Sequence, residues 1–200
     1  MARKQIQRKN VAEDLDLQIV DSARACFRKF GVKRTRMEDV AEEAGISRQV
    51  LYSYFDGRQS LIDSAIYREI ELIIEEFTKE MPEKPSLQEA IIKGSITGMK
   101  LVRSNPVLAD LFENSTTSHL PAVLLDPERP TIHAVLEWWK PVFQEARKTG
   151  ELAADIDDKD LMEWLGSIHY MLMMRTELPT ERHEQFLKRF FLPALRPDLD

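Results

Sequence analysis

The stretch MEDVAEEAGISRQVLYSYF, residues 37–55, constrains this chain more than any other. It holds two short runs with helical spacing, separated by Ala44 and Gly45. Gly45 stands where a tight turn needs a positive φ, which only glycine adopts at little cost. Ser47 follows as an N-cap for the second run. Ala41 is small enough to let two helices approach closely. Val40, Ile46 and Leu51 are spaced to meet in a shared small core. Two helices joined by so short a turn predict a helix-turn-helix. Just before it, Thr35 and Glu38 form a T-x-x-E pattern, which predicts a capping box opening the first helix at Thr35.

The second run sorts its residues by face. With 3.6 residues per turn, Arg48, Gln49, Tyr52 and Ser53 fall on one side, and Leu51, Tyr54 and Phe55 on the other. One face is polar and the other anchors the helix. Arg48 and Gln49 occupy the first turn, the part of a recognition helix that meets base edges. Arginine can chelate guanine O6 and N7, and glutamine can chelate adenine N6 and N7. The hydroxyls of Tyr52 and Tyr54 can hold phosphate.

The rest of the chain also reads as helix. Glycines number only seven in 200 residues, and alternating apolar patterns are rare. A first helix is expected over about 15–30, ended by Gly31. A long one follows over about 58–80, its apolar face carried by Leu61, Ile62, Ala65, Ile66, Ile70, Ile73, Ile74 and Phe77. Ser86 and Glu89 give another capping box, opening a helix to about Asn105. Further helices are expected over about 106–114, 130–149, 157–176 and 180–195, with 115–130 rich in turn-formers. The fold class is therefore all-α, with about nine helices. Residues 1–10 read as a disordered basic tail, 11–58 as the helix-turn-helix domain and 59–200 as a helical body. Arg3, Lys4, Arg8 and Lys9 of the tail could also form an arm for a minor groove.

Charge is uneven along the chain. The formal net charge is −6, yet residues 1–60 carry 12 Lys and Arg against 9 Asp and Glu, while residues 61–200 carry 16 against 25. A mildly basic front on an acidic body fits a DNA-facing module attached to something else. No run approaches the roughly 18 apolar residues of a membrane helix, and no apolar stretch follows the basic start as a secretory signal would need. The lone Cys26 permits no internal disulfide, and a cytoplasmic protein is expected. Beside Phe27, Cys26 reads as packing rather than as a nucleophile.

The pattern T-x-M-x-D-V-A-x-x-A-G-I-S-x-x-x-L-Y-x-Y-F, followed by a turn and a basic residue before Leu61, resembles the DNA-binding domain of the tetracycline-repressor (TetR) family. Ala41, Gly45, Ser47, Leu51, Tyr52, Tyr54 and Phe55 all stand in register with it. The resemblance implies base readers at Arg48, Gln49 and Val50, and phosphate contacts at Thr35, Arg36, Tyr52, Tyr54 and Arg58. Two positions depart from the family's habit: Arg36 stands where Ser or Thr is usual, and Arg58 where Lys is usual.

The body resembles the family only weakly, most visibly in GELAADID at 150–157. The resemblance implies a homodimer through the last two helices, paired on a palindromic operator in double-stranded DNA. The sequence permits such a dimer. Leu161, Trp164, Leu165, Ile168, Leu172 and Met173 make a wide apolar surface on one helix, and Phe186, Leu187, Phe190, Phe191 and Leu195 on the next. Burial within the chain is the competing use of these residues.

The resemblance also implies a pocket for a small-molecule effector. Its candidate lining is Phe77, Met99, Val102, Leu111, Phe112, Trp138, Trp139, Phe143, Met171 and Met174, since methionine and aromatic side chains suit an adaptable apolar cavity. The expected function is transcriptional repression relieved by an apolar or amphipathic ligand. The alternative is a helical enzyme or carrier that kept a vestigial helix-turn-helix. No catalytic motif is recognisable and no cofactor is expected. His119, His133, His169 and His183 fall in no metal-binding pattern, so surface or pocket hydrogen bonding is expected of them.

Overall fold

The structure, a computed structural model, describes residues 2–114, 130–175 and 177–196. Among these residues there are nine α-helices and no strand: α1 Ala2–Phe30, α2 Met37–Glu43, α3 Arg48–Tyr54, α4 Arg58–Glu80, α5 Leu87–Ser104, α6 Pro106–Asn114, α7 Pro130–Thr149, α8 Asp158–Met174 and α9 Thr180–Phe186. The turn-rich stretch that sequence places over 115–130, and His119 within it, lie outside the described residues apart from Pro130. No described helix is long and apolar enough to cross a membrane.

Helix α1 starts far earlier than the sequence suggests. Residues 1–10 are expected as a disordered tail and the helix from about Leu15, yet α1 begins at Ala2. Between Ala2 and Phe30 there is neither glycine nor proline, and Lys, Arg and Gln are good helix formers. At the other end Gly31, with φ +82°, stops the helix as expected.

The chain divides into two compact units. The first holds residues up to Glu69 together with Pro106–Asn114; the second holds Ile70–Asn105 and the described part of Ser115–Asp200. The boundary expected after residue 58 therefore falls inside the first unit, and α6 belongs with the N-terminal helices. The reason for the latter is visible: the Val32 backbone N–H donates to Asp110 Oδ2 on α6 at 2.7 Å.

The core of the first unit gathers Ile19, Ala23 and Phe27 of α1, Val40 and Ala41 of α2, Leu51 of α3, and Leu61 and Ala65 of α4, each at most 3% exposed. One buried ion pair joins α1 to α4. Glu69, 1% exposed, accepts from Arg24 Nε at 2.9 Å and from Arg28 Nη2 at 2.6 Å.

The second unit packs Ile91, Phe143, Leu152, Leu165, Leu172 and Leu187 into one core. Its helices are capped as the sequence predicts at Ser86, whose Oγ accepts from the Glu89 N–H at 3.2 Å while Glu89 Oε2 accepts from the Ser86 N–H at 3.1 Å. Arg147 ties down the 150–157 segment, donating to the Ile156 carbonyl and to Asp158 Oδ1, both at 2.6 Å. Arg103 donates to the carbonyls of Leu172 and Met173 at 3.1 Å, satisfying acceptors that the end of α8 leaves open.

The last helix departs from its expected form. After α9 the chain continues as a π-turn over Leu187–Phe191 and a 3₁₀ turn over Leu192–Leu195 rather than as one helix to Leu195. Pro193 lacks an N–H to continue the α ladder, and the backbone switches register around it.

Candidate DNA interface and apolar cavity

The first candidate site is the α2–turn–α3 element. Gly45 has φ +67° and a Cβ there would meet nothing within 4 Å, so the turn requires glycine for its backbone rather than for space. The Ile46 N–H donates to the Ala41 carbonyl at 3.0 Å, closing the turn. Ser47 caps α3 as expected, its Oγ accepting from the Val50 N–H at 3.3 Å. Leu51 is fully buried and Phe55 nearly so, which fixes the inner face of α3. Arg48, Gln49, Tyr52 and Tyr54 are exposed, and Val50 is half-buried.

Arg48 is not idle in this state. Its Nη2 lies 2.8 Å from Glu38 Oε1 on α2, with both side chains about half exposed.

Two predicted phosphate contacts have structural work to do. Thr35 is buried, and its single hydroxyl proton faces the Gly31 carbonyl at 2.9 Å, with the Cys26 carbonyl at 3.3 Å. The capping box expected from Thr35 and Glu38 accordingly shifts by one residue. Asp39 Oδ2 accepts from the Arg36 N–H at 2.7 Å, because the Thr35 side chain is already spent on α1. Arg58 bonds the carbonyls of Thr35, at 3.2 Å, and of Val32. It therefore braces the α1–α2 turn, with donors of its five-donor fork left over. Arg36 is exposed. Cys26 is buried, its Sγ 3.6 Å from the Asp39 carbonyl, and burial pushes its thiol pKa up, consistent with packing.

The second candidate site is a cavity of about 190 Å³ within the second unit. Ile70, Ile73, Ile74 and Phe77 line it from α4, and Gly94, Gly98, Met99 and Val102 from α5. Val135, Trp138 and Trp139 contribute from α7, and Met162, Leu165, Gly166, His169, Tyr170 and Met173 from α8. The aromatic wall is continuous. Phe77 meets Trp138 edge-to-face at 4.7 Å, Trp138 meets Trp139 at 5.0 Å, and Trp139 stacks on Phe143 at 5.5 Å. Gly94 makes room for this wall, since a Cβ there would stand 3.2 Å from Phe77 Cζ. His169 is the wall's main polar feature. Its Nε2 lies 2.6 Å from Ser95 Oγ, and burial pushes the imidazole down to about 4, so it is neutral at pH 7.

Residues 19–65 match the family model described as bacterial regulatory proteins, tetR family. Over these residues the chain carries a DNA-binding domain of the tetR type. An uncharacterized HTH-type transcriptional regulator of Mycobacterium tuberculosis is 31% identical over 94 residues, which cover 47% of this chain and 46% of that protein. The chain thus spans about half the length of the curated relative it matches. Among solved structures, the R. erythropolis repressor QsdR of the TetR family superposes with a TM-score of 0.64 at 16% identity, covering 94% of this chain and 98% of that one. FadR of Bacillus subtilis, solved in complex with stearoyl-CoA, gives 0.59 at 15% identity, covering 86% and 96%. These two likenesses are of fold, and they extend it beyond the tetR domain to most of the chain.

Five of the ten residues expected around a tetR-type pocket do line the cavity: Phe77, Met99, Val102, Trp138 and Trp139. The other five do not. Leu111 and Phe112 lie on α6, in the first unit. Phe143 is fully buried behind Trp139. Met171 and Met174 face outward, 55% and 51% exposed. His169 belongs to the cavity, one of the two settings, surface or pocket, in which sequence expects hydrogen bonding of the histidines. His133 is exposed and His183 buried.

The apolar surface expected for a partner is also smaller than the sequence suggests. Leu161, Leu165, Leu172, Leu187, Phe191 and Leu195 are consumed by the chain's own core. What remains outside is Trp164, Met171, Met174 and Phe190, at 51–66% exposure.

Proposed function

We propose that this chain is a sequence-specific DNA-binding transcriptional regulator, a repressor that leaves a palindromic operator when a small apolar molecule occupies its cavity. The observation that carries this reading is α3: a helix anchored by a fully buried Leu51, with Arg48 and Gln49 exposed in its first turn. In the proposed complex Arg48, Gln49 and Val50 read base edges in a major groove. Arg36, Tyr52, Tyr54 and the spare donors of Arg58 hold phosphates and fix the register. Thr35 acts through the brace it forms at the end of α1.

A homodimer sets two copies of α3 about 34–36 Å apart, one turn of the double helix. Trp164, Met171 and Met174 support it, because their spacings of seven and three place them on one outward face of α8. So large an apolar group on a helix surface calls for a cover. Release follows if the ligand binds the DNA-incompetent arrangement more tightly than the competent one. Helix α4 carries both Ile70–Phe77 of the cavity wall and the Arg58 brace, and is the proposed link. That FadR, a fold relative, was solved with stearoyl-CoA supports a small-molecule role for the second unit. The protein would act in the cytoplasm, where its DNA is.

The test is selection of the purified chain against random duplex DNA, repeated with Arg48→Ala and Gln49→Ala. The expected result is a palindromic motif that relaxes at defined positions in each variant, at a cost of about 1–3 kcal/mol apiece. Enrichment of no motif at low salt overturns the reading.

A further inference from the structure

The chemistry of the cavity wall specifies its ligand more narrowly. We infer that the cavity takes an uncharged aromatic compound of one or two rings bearing a single hydroxyl, the phenol class, with the hydroxyl bonded to His169. This inference rests on the ligand-responsive reading above.

Size comes first. An apolar cavity of roughly 150 Å³ admits one benzene, and this one measures about 190 Å³. A ring with a short branch, or two fused rings, is what such a space encloses. Charge comes second. Among the described residues no Lys, Arg, Asp or Glu lines the cavity. An ion entering it would shed its water without a counter-charge, and that cost is heavy. Nor does the imidazole supply a charge, since burial keeps it neutral at pH 7.

Shape comes third. Phe77, Trp138 and Trp139 meet edge-to-face, an arrangement that leaves ring faces and ring edges for a further aromatic to join. Met99, Met162 and Met173 add polarizable sulfurs, which also favour an aromatic guest. The hydroxyl follows from His169. Its Nε2 is taken by Ser95, and its Nδ1 has no partner among the described residues. Depending on which way the Ser95 hydroxyl is turned, Nδ1 either donates or accepts. A hydroxyl answers both cases, whereas a carbonyl only accepts and an alkylamine, charged at pH 7, is excluded with the other ions. Ser95 itself is fully buried and does not line the cavity, so the pair presents the ligand with the imidazole alone.

The experiment is titration of the full chain by calorimetry at pH 7 with 4-tert-butylphenol, tert-butylbenzene, 4-tert-butylbenzoate and octanoyl-CoA. The phenol should bind, the hydrocarbon about three- to tenfold more weakly for want of one hydrogen bond, and the two anions not measurably. Gly98→Leu should abolish phenol binding, because a side chain there enters open space on the cavity wall. Circular dichroism of that variant checks that its helices persist. His169→Phe should make the phenol and the hydrocarbon bind alike, which keeps the inference open to refutation if Gly98→Leu does not fold. Binding of either anion as tightly as the phenol overturns the inference, as does failure of the phenol to bind at all. Its failure differs from that of the regulator reading: octanoyl-CoA releasing DNA while phenols do nothing sinks only the inference. Phenol binding that leaves DNA affinity unchanged sinks only the regulator reading.

Discussion

The two units solve different problems with the same secondary structure. The first exposes a polar face and must hold it rigid, so it relies on local devices: Gly45 at φ +67°, the Ser47 cap, Asp39 on the Arg36 N–H, and one buried ion pair between Arg24 and Glu69. The second turns its candidate binding surface inward. Its cavity is bounded by four helices contributed from residues 70 to 173, and no single local motif makes it. A reader can be encoded in one short run of sequence, whereas an enclosed space can only be encoded by all the residues that fail to fill it.

The sharpest way to break this contrast is to remove the buried ion pair of the first unit. Glu69→Ala leaves Arg24, 7% exposed, without its main counter-charge. Stripping one partner from a buried ion pair costs about 3–5 kcal/mol, and urea unfolding should show a loss of that size. A loss under about 1 kcal/mol would mean that the ion pair does not hold α1 to α4.

Acid should act next, and on the second unit. The folded chain holds the His169 imidazole at about 4 against an ordinary 6.5. The unfolded chain therefore takes up a proton first as pH falls. The stability that neutral His169 contributes is complete above 6.5 and is lost as pH falls through about 4. Urea midpoints at pH 7 and pH 5 should fall further for the wild type than for His169→Phe; equal falls would show that the imidazole is not held neutral.

One substitution made in both units should then give opposite signs. Gly45→Ala forces a side chain into left-handed backbone and should cost about 1–2 kcal/mol. Gly98→Ala lies inside helix α5, meets nothing within 4 Å, and should gain about 0.5–1 kcal/mol. Thermal melts of the two variants read the difference, and shifts of the same sign would refute it. The smallest effect belongs to Glu38→Gln. The Arg48–Glu38 pair is exposed on both sides, so stability should move by less than about 1 kcal/mol. Affinity for random duplex should rise by less than about fivefold as the competing carboxylate is lost. Anisotropy titration with a labelled non-specific duplex measures it, and weaker binding would contradict the pairing.

Sequence made the first unit largely legible because its signals are short-range. Gly31 closes α1, Gly45 divides α2 from α3, and Gly57 and Pro106 stand at the starts of the helices 58–80 and 106–114. Where punctuation is missing, as before Leu15, the start of α1 is invisible. Thr35 misled because a hydroxyl three residues before a glutamate looks like a cap whether or not it is already bonded to α1.

Helix α8 shows why most of the cavity lining escaped. It is apolar on three sides: Leu161 and Leu172 enter the core, Met162, Leu165, Gly166, His169 and Met173 border the cavity, and Trp164, Met171 and Met174 stay outside. Periodicity separates these three rows but does not say which of them faces a void.

Gly98 gives the cavity a property of a different kind. A Cβ added at that position takes up space on the cavity wall and meets no neighbour within 4 Å. In the proposed reading, alanine, valine and leucine there form a graded series in which the admissible guest shrinks step by step. Chemical preference can thus drift over generations by single codon changes at one site, while the nineteen residues that form the reader are inherited intact.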